Sequence, residues 1–135
     1  MKIIIGCGGV ILKNKKLLLT KRISTKENYP NCWTLPAGTL EDGDKTLAAA
    51  ATREVKEEVN LDFIANEKLG FYETNLKDKR IIGFVFLGEW SGDIKPLETE
   101  ISDIGWFTYE ETKKLEIAFS YNQTIEDLYN RGLIK

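Results

Sequence analysis

At 135 residues, with 42% hydrophobic and 30% charged residues, the chain has the size and composition of one globular domain, residues 1–135, with a core of ordinary size. Nineteen basic against twenty-one acidic residues leave a formal net charge of -2, which gives no general electrostatic reason to bind a nucleic acid polymer or an anionic membrane. Histidine is absent and the two cysteines, Cys7 and Cys32, form no CxxC pair, so a zinc site lacks ligands and acid–base or metal chemistry falls mainly to carboxylates.

The first residues, MKIIIGCGGVIL, place Ile-Gly before Cys7 in the manner of a bacterial lipid-attachment site. Their apolar run, Ile3 to Ile5, is broken by Gly6, Gly8 and Gly9, well short of the roughly 7 to 15 apolar residues of a signal core. No stretch approaches the roughly twenty apolar residues of a membrane span, and a cytoplasmic protein with reduced thiols is expected. Ile3 to Leu12 reads as a strand, Asn14 and Lys15 as a turn, and Lys16 to Thr20 as the returning strand of a hairpin. Lys21 to Cys32 is polar, contains Asn28, Pro30 and Asn31, and reads as a loop into Trp33-Thr34-Leu35.

Thr46 is an apt helix N-cap, and the Ala-rich run that follows carries a helix to Val59, with Asn60 suited to a left-handed terminating position. Glu67 to Thr74 and Arg80 to Gly88 read as strands joined by a turn, and Ile104 to Phe107 as a further short strand. Thr108-Tyr109-Glu110-Glu111 looks like a helix start, and a last helix spans about Asn122 to Asn130, ending at Gly132. The expected class is α/β (α+β): a mixed β-sheet between helices, as an α/β/α sandwich.

On the central helix Glu54, Glu57 and Glu58 stand at i, i+3 and i+4 and share one face within a turn. Like charges at that spacing cost an isolated helix roughly 0.2–0.5 kcal/mol per pair, and only Arg53, at i−4 from Glu57, offers local relief. A divalent cation with a preference for oxygen ligands would reverse the sign, so the cluster reads as half a metal site. Gly38 and Gly43, in the preceding turn, let the backbone come close to an ion or phosphate. Taken without that turn, the same residues are those of an ordinary solvated helix face.

The run from Gly38 to Leu61 resembles the signature of the Nudix hydrolase superfamily, written G-x5-E-x7-R-E-U-x-E-E-x-G-U with U aliphatic. Gly38 matches the first glycine, and Arg53, Glu54, Val55, Glu57, Glu58 and Leu61 match the second half. Trp33-Thr34-Leu35-Pro36-Ala37-Gly38 looks like the W-x-L-P-G-G lead-in. Fourteen residues, against the signature's thirteen, separate Gly38 from Arg53, so one residue is inserted near Lys45 and the first glutamate falls on Asp44 or Lys45. Asn60 stands in place of the second glycine, a benign change for a residue that tolerates the left-handed region.

The resemblance implies a hydrolase of a nucleoside diphosphate linked to another moiety, dependent on Mg2+ or Mn2+. It implies Glu57 and Glu58 as principal metal ligands, Glu54 as a third ligand or the group orienting water, the Gly38 carbonyl as a further donor, and Arg53 as the support of the carboxylates. Glu98 and Glu100, in a later loop, are candidates for a general base, so the catalytic set is Glu54, Glu57, Arg53 and Glu100. Arg22 is placed where some relatives hold a phosphate, and Tyr29, Trp33, Phe84 and Phe86 are aromatic candidates for a base, with core packing the default for each. A nucleoside triphosphate, oxidised forms included, is favoured because the proline that ADP-ribose enzymes of the family often carry after the box is missing: none occurs between Pro36 and Pro96. ADP-ribose or another nucleotide-sugar or dinucleotide is the alternative, and a non-catalytic nucleotide-sensing domain is the alternative of another class. The partner is a small nucleotide; a homodimer is left open.

Overall fold

A computed structural model describes all 135 residues. The chain runs through β1 (Lys2–Val10), β2 (Leu12–Lys13), β3 (Lys16–Arg22), β4 (Trp33–Thr34) and β5 (Ala37–Thr39) before helix α1 (Leu47–Val59). Two long strands, β6 (Asp62–Asn75) and β7 (Lys79–Ser91), are followed by β8 (Ile101–Phe107), a single-turn helix α2 (Tyr109–Thr112) and helix α3 (Tyr121–Asn130). The strands form two four-stranded sheets. One is mixed, in the order β5-β1-β7-β6 with β1 and β7 parallel; in the other, antiparallel β3 holds β2, β4 and β8.

The stretch expected as one strand from Ile3 to Leu12 is divided between the two sheets. Ile11 lies at the crossing, fully buried, and the hairpin is made by β2 and β3 alone, with Leu12 opposite Leu17. Its turn residues Asn14 (φ 52°) and Lys15 (φ 62°) are both left-handed, the twist that suits a two-residue hairpin. Strands β6 and β7 run further than their sequence pattern suggests because β6 shifts register after Ala65 and again after Lys68. Each bulge resets which face a side chain takes, which erases the period-2 signal over the added residues.

Helix α1 forms where expected. The Thr46 hydroxyl accepts from the Ala49 amide at 3.0 Å, and Asn60 closes the helix at φ 66°. Ala50, Ala51, Val55 and Val59 are its buried apolar residues and pack with Cys7, Phe63 and Phe86 of the mixed sheet in one core cluster. A side chain at Gly9 would come within 2.8 Å of Val55 Cγ2, so helix and strand meet in near-backbone contact. On the other face of the mixed sheet, Tyr121, Ile125 and Leu128 of α3 join Val10, Tyr72, Val85, Leu17, Leu19 and Leu35 in a second cluster. The mixed sheet therefore lies between α1 and α3. No helix is long and apolar enough to cross a membrane.

Candidate functional site

Strand β5 runs beside β1, with Cys7 opposite Gly38 and Gly6 opposite Thr39, and the chain then crosses to the start of α1. This brings the Gly38 backbone against the Glu54 carboxylate, and a side chain at Gly38 would overlap that group. The glycine is required by close approach. Glu54 is buried, Glu57 exposed and Glu58 half-buried, so the three acids of one helical turn occupy different environments.

Arg53 organises them. Its Nε and Nη2 donate to the two Asp44 carboxylate oxygens at 2.8 and 2.7 Å, and Nη2 also donates to the Thr39 carbonyl at 3.2 Å. Nη1 faces Glu54 at 2.7 Å, Glu57 at 3.2 Å and Glu41 at 2.6 Å. The two-pronged bond from Arg53, with the Glu41 amide at 2.9 Å, holds the Asp44 carboxyl down at about 2, and the same contacts raise the guanidinium further above its ordinary value. Between the two residues that could stand for the signature's first glutamate, Asp44 takes the arginine, while Lys45 is exposed.

Carboxylate oxygens of Glu41, Glu54 and Glu57 lie within 4.8 Å of one another. Three hard oxygen donors so placed, their charge otherwise met only by Arg53, suit a magnesium-like cation. This set differs from the expected one in a residue. Glu58 accepts a hydrogen bond from the Ala37 amide at 2.9 Å and is not one of the three mutually close carboxylates, whereas Glu41, not among the expected ligands, is. Burial raises the Glu54 carboxyl, and burial pushes Glu58 up to about 7 against the opposing pull of the Ala37 amide.

These acids form one wall of a cavity of about 570 Å3 that also takes in Gly38. Arg22 and Lys26 stand at the same wall, both lowered in basicity by burial. Arg22 Nε donates to the Asn28 carbonyl at 3.1 Å, and its guanidinium lies 5.0 Å from the Phe119 ring. Glu100 lines the rim and is ion-paired with Lys26. Glu98 is exposed and outside the lining.

Neither Trp33 nor Phe84 lines this cavity. Trp33 packs edge-on against Phe107 at 5.0 Å, and Phe84 packs against Phe71 at 6.0 Å on the far face of the mixed sheet. Strand parity decides the second case, since Lys79, Ile81 and Gly83, every second residue, are the β7 residues that line the cavity. The aromatic side chains that do line it are Tyr72, Phe119 and Tyr121. Phe119 adopts φ 57°, a costly value for a bulky residue, and packs at a tilt against Tyr29, ring centroids 4.7 Å apart. Sequence patterning gave no signal for this wall, because β6 and the start of α3 meet only in the folded chain.

The NUDIX domain model matches residues 4–128. An ADP-ribose pyrophosphatase from Methanocaldococcus jannaschii is 32% identical over 126 residues, covering 91% of this chain and 71% of that protein. Nudix hydrolase 5 of Arabidopsis thaliana is 34% identical over 112 residues, 79% of this chain and 37% of that protein, so this chain spans only about a third of that relative. The crystal structure of a MutT Nudix hydrolase from Burkholderia pseudomallei superposes with a TM-score of 0.85 at 21% identity, over 95% of this chain and 99% of that one, which shows a common fold. With its arginine-clamped carboxylates in the expected turn and helix, and with the domain model matched along nearly its whole length, the chain belongs to the Nudix hydrolase family.

Proposed function

We propose that the protein is a metal-dependent pyrophosphohydrolase that cleaves a nucleoside diphosphate linked to another moiety, with a nucleoside triphosphate as the first substrate reading. The observation that carries it is the convergence of Glu41, Glu54 and Glu57 on the wall of a cavity that also presents Arg22 and Lys26. Acids and bases arranged this way suit a polyanion that arrives with a divalent cation. In this reading Glu54 and Glu57, with Glu41, would hold Mg2+ or Mn2+, the Gly38 carbonyl would be a further oxygen donor, and Glu58 stands beside the set, bonded to the Ala37 amide. The cation, when bound, supplies positive charge where the anhydride oxygens gain negative charge.

The remaining roles belong to the chain itself. Arg53 fixes the carboxylates, Arg22 and Lys26 meet the phosphates, and Glu100, carried on the rim beside Lys26, accepts the proton of the attacking water. ADP-ribose is the second reading, favoured by the archaeal relative named as an ADP-ribose pyrophosphatase.

The test is product release from a panel of nucleoside triphosphates, oxidised forms included, with ADP-ribose and dinucleotides, in magnesium or manganese. Wild-type turnover of at least one compound and a loss of about a hundredfold or more in Glu57→Gln are expected. A wild type that turns over nothing, as a nucleotide-sensing domain would, or a fully active Glu57→Gln, defeats the proposal. Orthophosphate or pyrophosphate in the products identifies the bond that breaks.

A further inference from the structure

The floor of the cavity is the mixed sheet, and in its middle two side chains are missing side by side. Gly6 of β1 is in register with Gly83 of β7; on the outer sides Gly6 faces Thr39 of β5 and Gly83 faces Tyr72 of β6. Across this row of four strands, Thr39-Gly6-Gly83-Tyr72, about three strand spacings or roughly 14 Å, the central two positions offer only backbone. In the next row on the same face Ile4 is in register with Ile81, and both line the cavity.

The fold does not call for these glycines. Gly8, two residues further along β1, contrasts with them: a side chain there would come within 2.7 Å of Ala37 Cβ, so packing excludes it. At Gly6 the nearest atom to an added Cβ is the Gly38 carbonyl oxygen at 3.6 Å, and at Gly83 the nearest are the Tyr121 hydroxyl at 3.8 Å and the Tyr72 carbonyl oxygen at 3.9 Å. Those are ordinary van der Waals distances, and neither glycine has a positive φ. Glycine inside a strand weakens it, and where neighbours do not require it the vacant position marks close approach by something else.

Tyr121 is the second observation. It is 7% exposed, lines the cavity, and its hydroxyl makes no hydrogen bond within the chain. Of the other hydroxyls beside it, Tyr72 donates to Asp127 at 2.6 Å, and Thr74 and Ser120 bond each other at 2.7 Å; the Thr39 hydroxyl, at the far end of the row, is exposed. The ring is buried while its oxygen opens into the cavity, so the phenol is placed to bond a group that enters there.

We infer that Gly6, Gly83 and Tyr121 form a slot for the heteroaromatic base of the nucleotide, with the ring lying flat on the two glycines and its polar edge on the Tyr121 hydroxyl. A bare peptide floor with isoleucine beside it suits a planar ring. The inference rests on the nucleotide reading of the same cavity and adds which residues select the base.

The test is equilibrium binding by calorimetry of the nucleoside 5′-monophosphates and of ribose 5-phosphate, which lacks the base. Wild type binds at least one nucleotide more tightly than ribose 5-phosphate. Gly6→Val and Gly83→Val reduce that preference about tenfold or more, the scale on which added methylene groups act in a fitted pocket, and leave ribose 5-phosphate binding unchanged. Gly6→Ala and Gly83→Ala, which the neighbouring distances accommodate, keep the wild-type melting temperature, lose part of the preference, and decide the matter if the valine variants do not fold. Tyr121→Phe changes the ranking among the bases. Folded variants that keep the wild-type preference, or a wild type with none, overturn the slot. Nucleotide turnover without any base preference leaves the hydrolase reading standing and removes the slot; a base preference lost in the variants without turnover does the reverse.

Discussion

Four carboxylates, those of Glu41, Asp44, Glu54 and Glu57, face the single guanidinium of Arg53, which is itself only partly exposed. Removing it leaves like charges gathered between a turn and a helix with no local counter-charge. Arg53→Ala is expected to lower the melting temperature by roughly 5–10 °C, and saturating magnesium should narrow the gap because a cation replaces part of the lost charge. A gap that stays constant across a magnesium titration would separate the arginine from the metal site. Cys7 behaves in the opposite sense. Burial, and then the Asp44 and Glu54 carboxylates, push its thiol up to about 11, above its ordinary value of 9.0. The unfolded chain therefore releases this proton first as pH rises, and the contribution of the protonated thiol, complete below pH 9.0, fades between there and about 11. Chemical unfolding across that window should show a shallower loss of stability in Cys7→Ala than in wild type, and at pH 8 a thiol reagent should modify Cys32 while Cys7 reacts only as the chain unfolds.

At the scale of the element, the turn and helix show how a local departure is absorbed. Asp44 has one methylene fewer than the glutamate of the signature, and the chain between it and Arg53 has one residue more; the two changes together keep both carboxylate oxygens on the guanidinium. Deleting Lys45 alone should pull Asp44 out of reach and lower kcat/KM, and combining the deletion with Asp44→Glu should recover most of it, a non-additive pair that steady-state kinetics would expose. A double variant no better than the single deletion counts against compensation. The C-terminal end gives a simpler case: Asn60→Gly should be neutral or slightly stabilising, and Asn60→Ala should cost about 1 kcal/mol in denaturant unfolding, since alanine lacks asparagine's tolerance of φ 66°. Helix α1, its Thr46 cap and its Asn60 stop were legible in the sequence because each is decided by residues within a turn of one another. The division of the first strand at Ile11 and the extra length of β6 were not, because partner strands far along the chain determine them.

The whole molecule places this turn and helix against a cavity whose other walls come from both sheets and from α3. That assembly explains which site residues the sequence could supply. Glu54, Glu57 and Arg53 share one helix, so their spacing alone brought them together, whereas Glu41 joins them through the path of a turn and Tyr121 through the docking of α3. Glu41 and Glu58 can then be told apart by linkage. A cation that binds only the folded chain should raise the wild-type melting temperature by roughly 10 °C when present at about a hundred times its dissociation constant. Glu41→Gln should reduce that rise as strongly as Glu57→Gln, because each removes one of three oxygens that lie within 4.8 Å of one another. Glu58 is half-buried, and its carboxyl stands at about 7, so at pH 8 its negative charge is held at a desolvation cost. Glu58→Gln should consequently raise the melting temperature without added metal at pH 8 and give no such gain at pH 5, where the carboxyl of the folded chain is already neutral. If Glu58→Gln instead abolishes the metal-dependent rise while Glu41→Gln leaves it intact, the cation sits on the helical pair Glu57 and Glu58, and the turn carboxylate serves Arg53 alone.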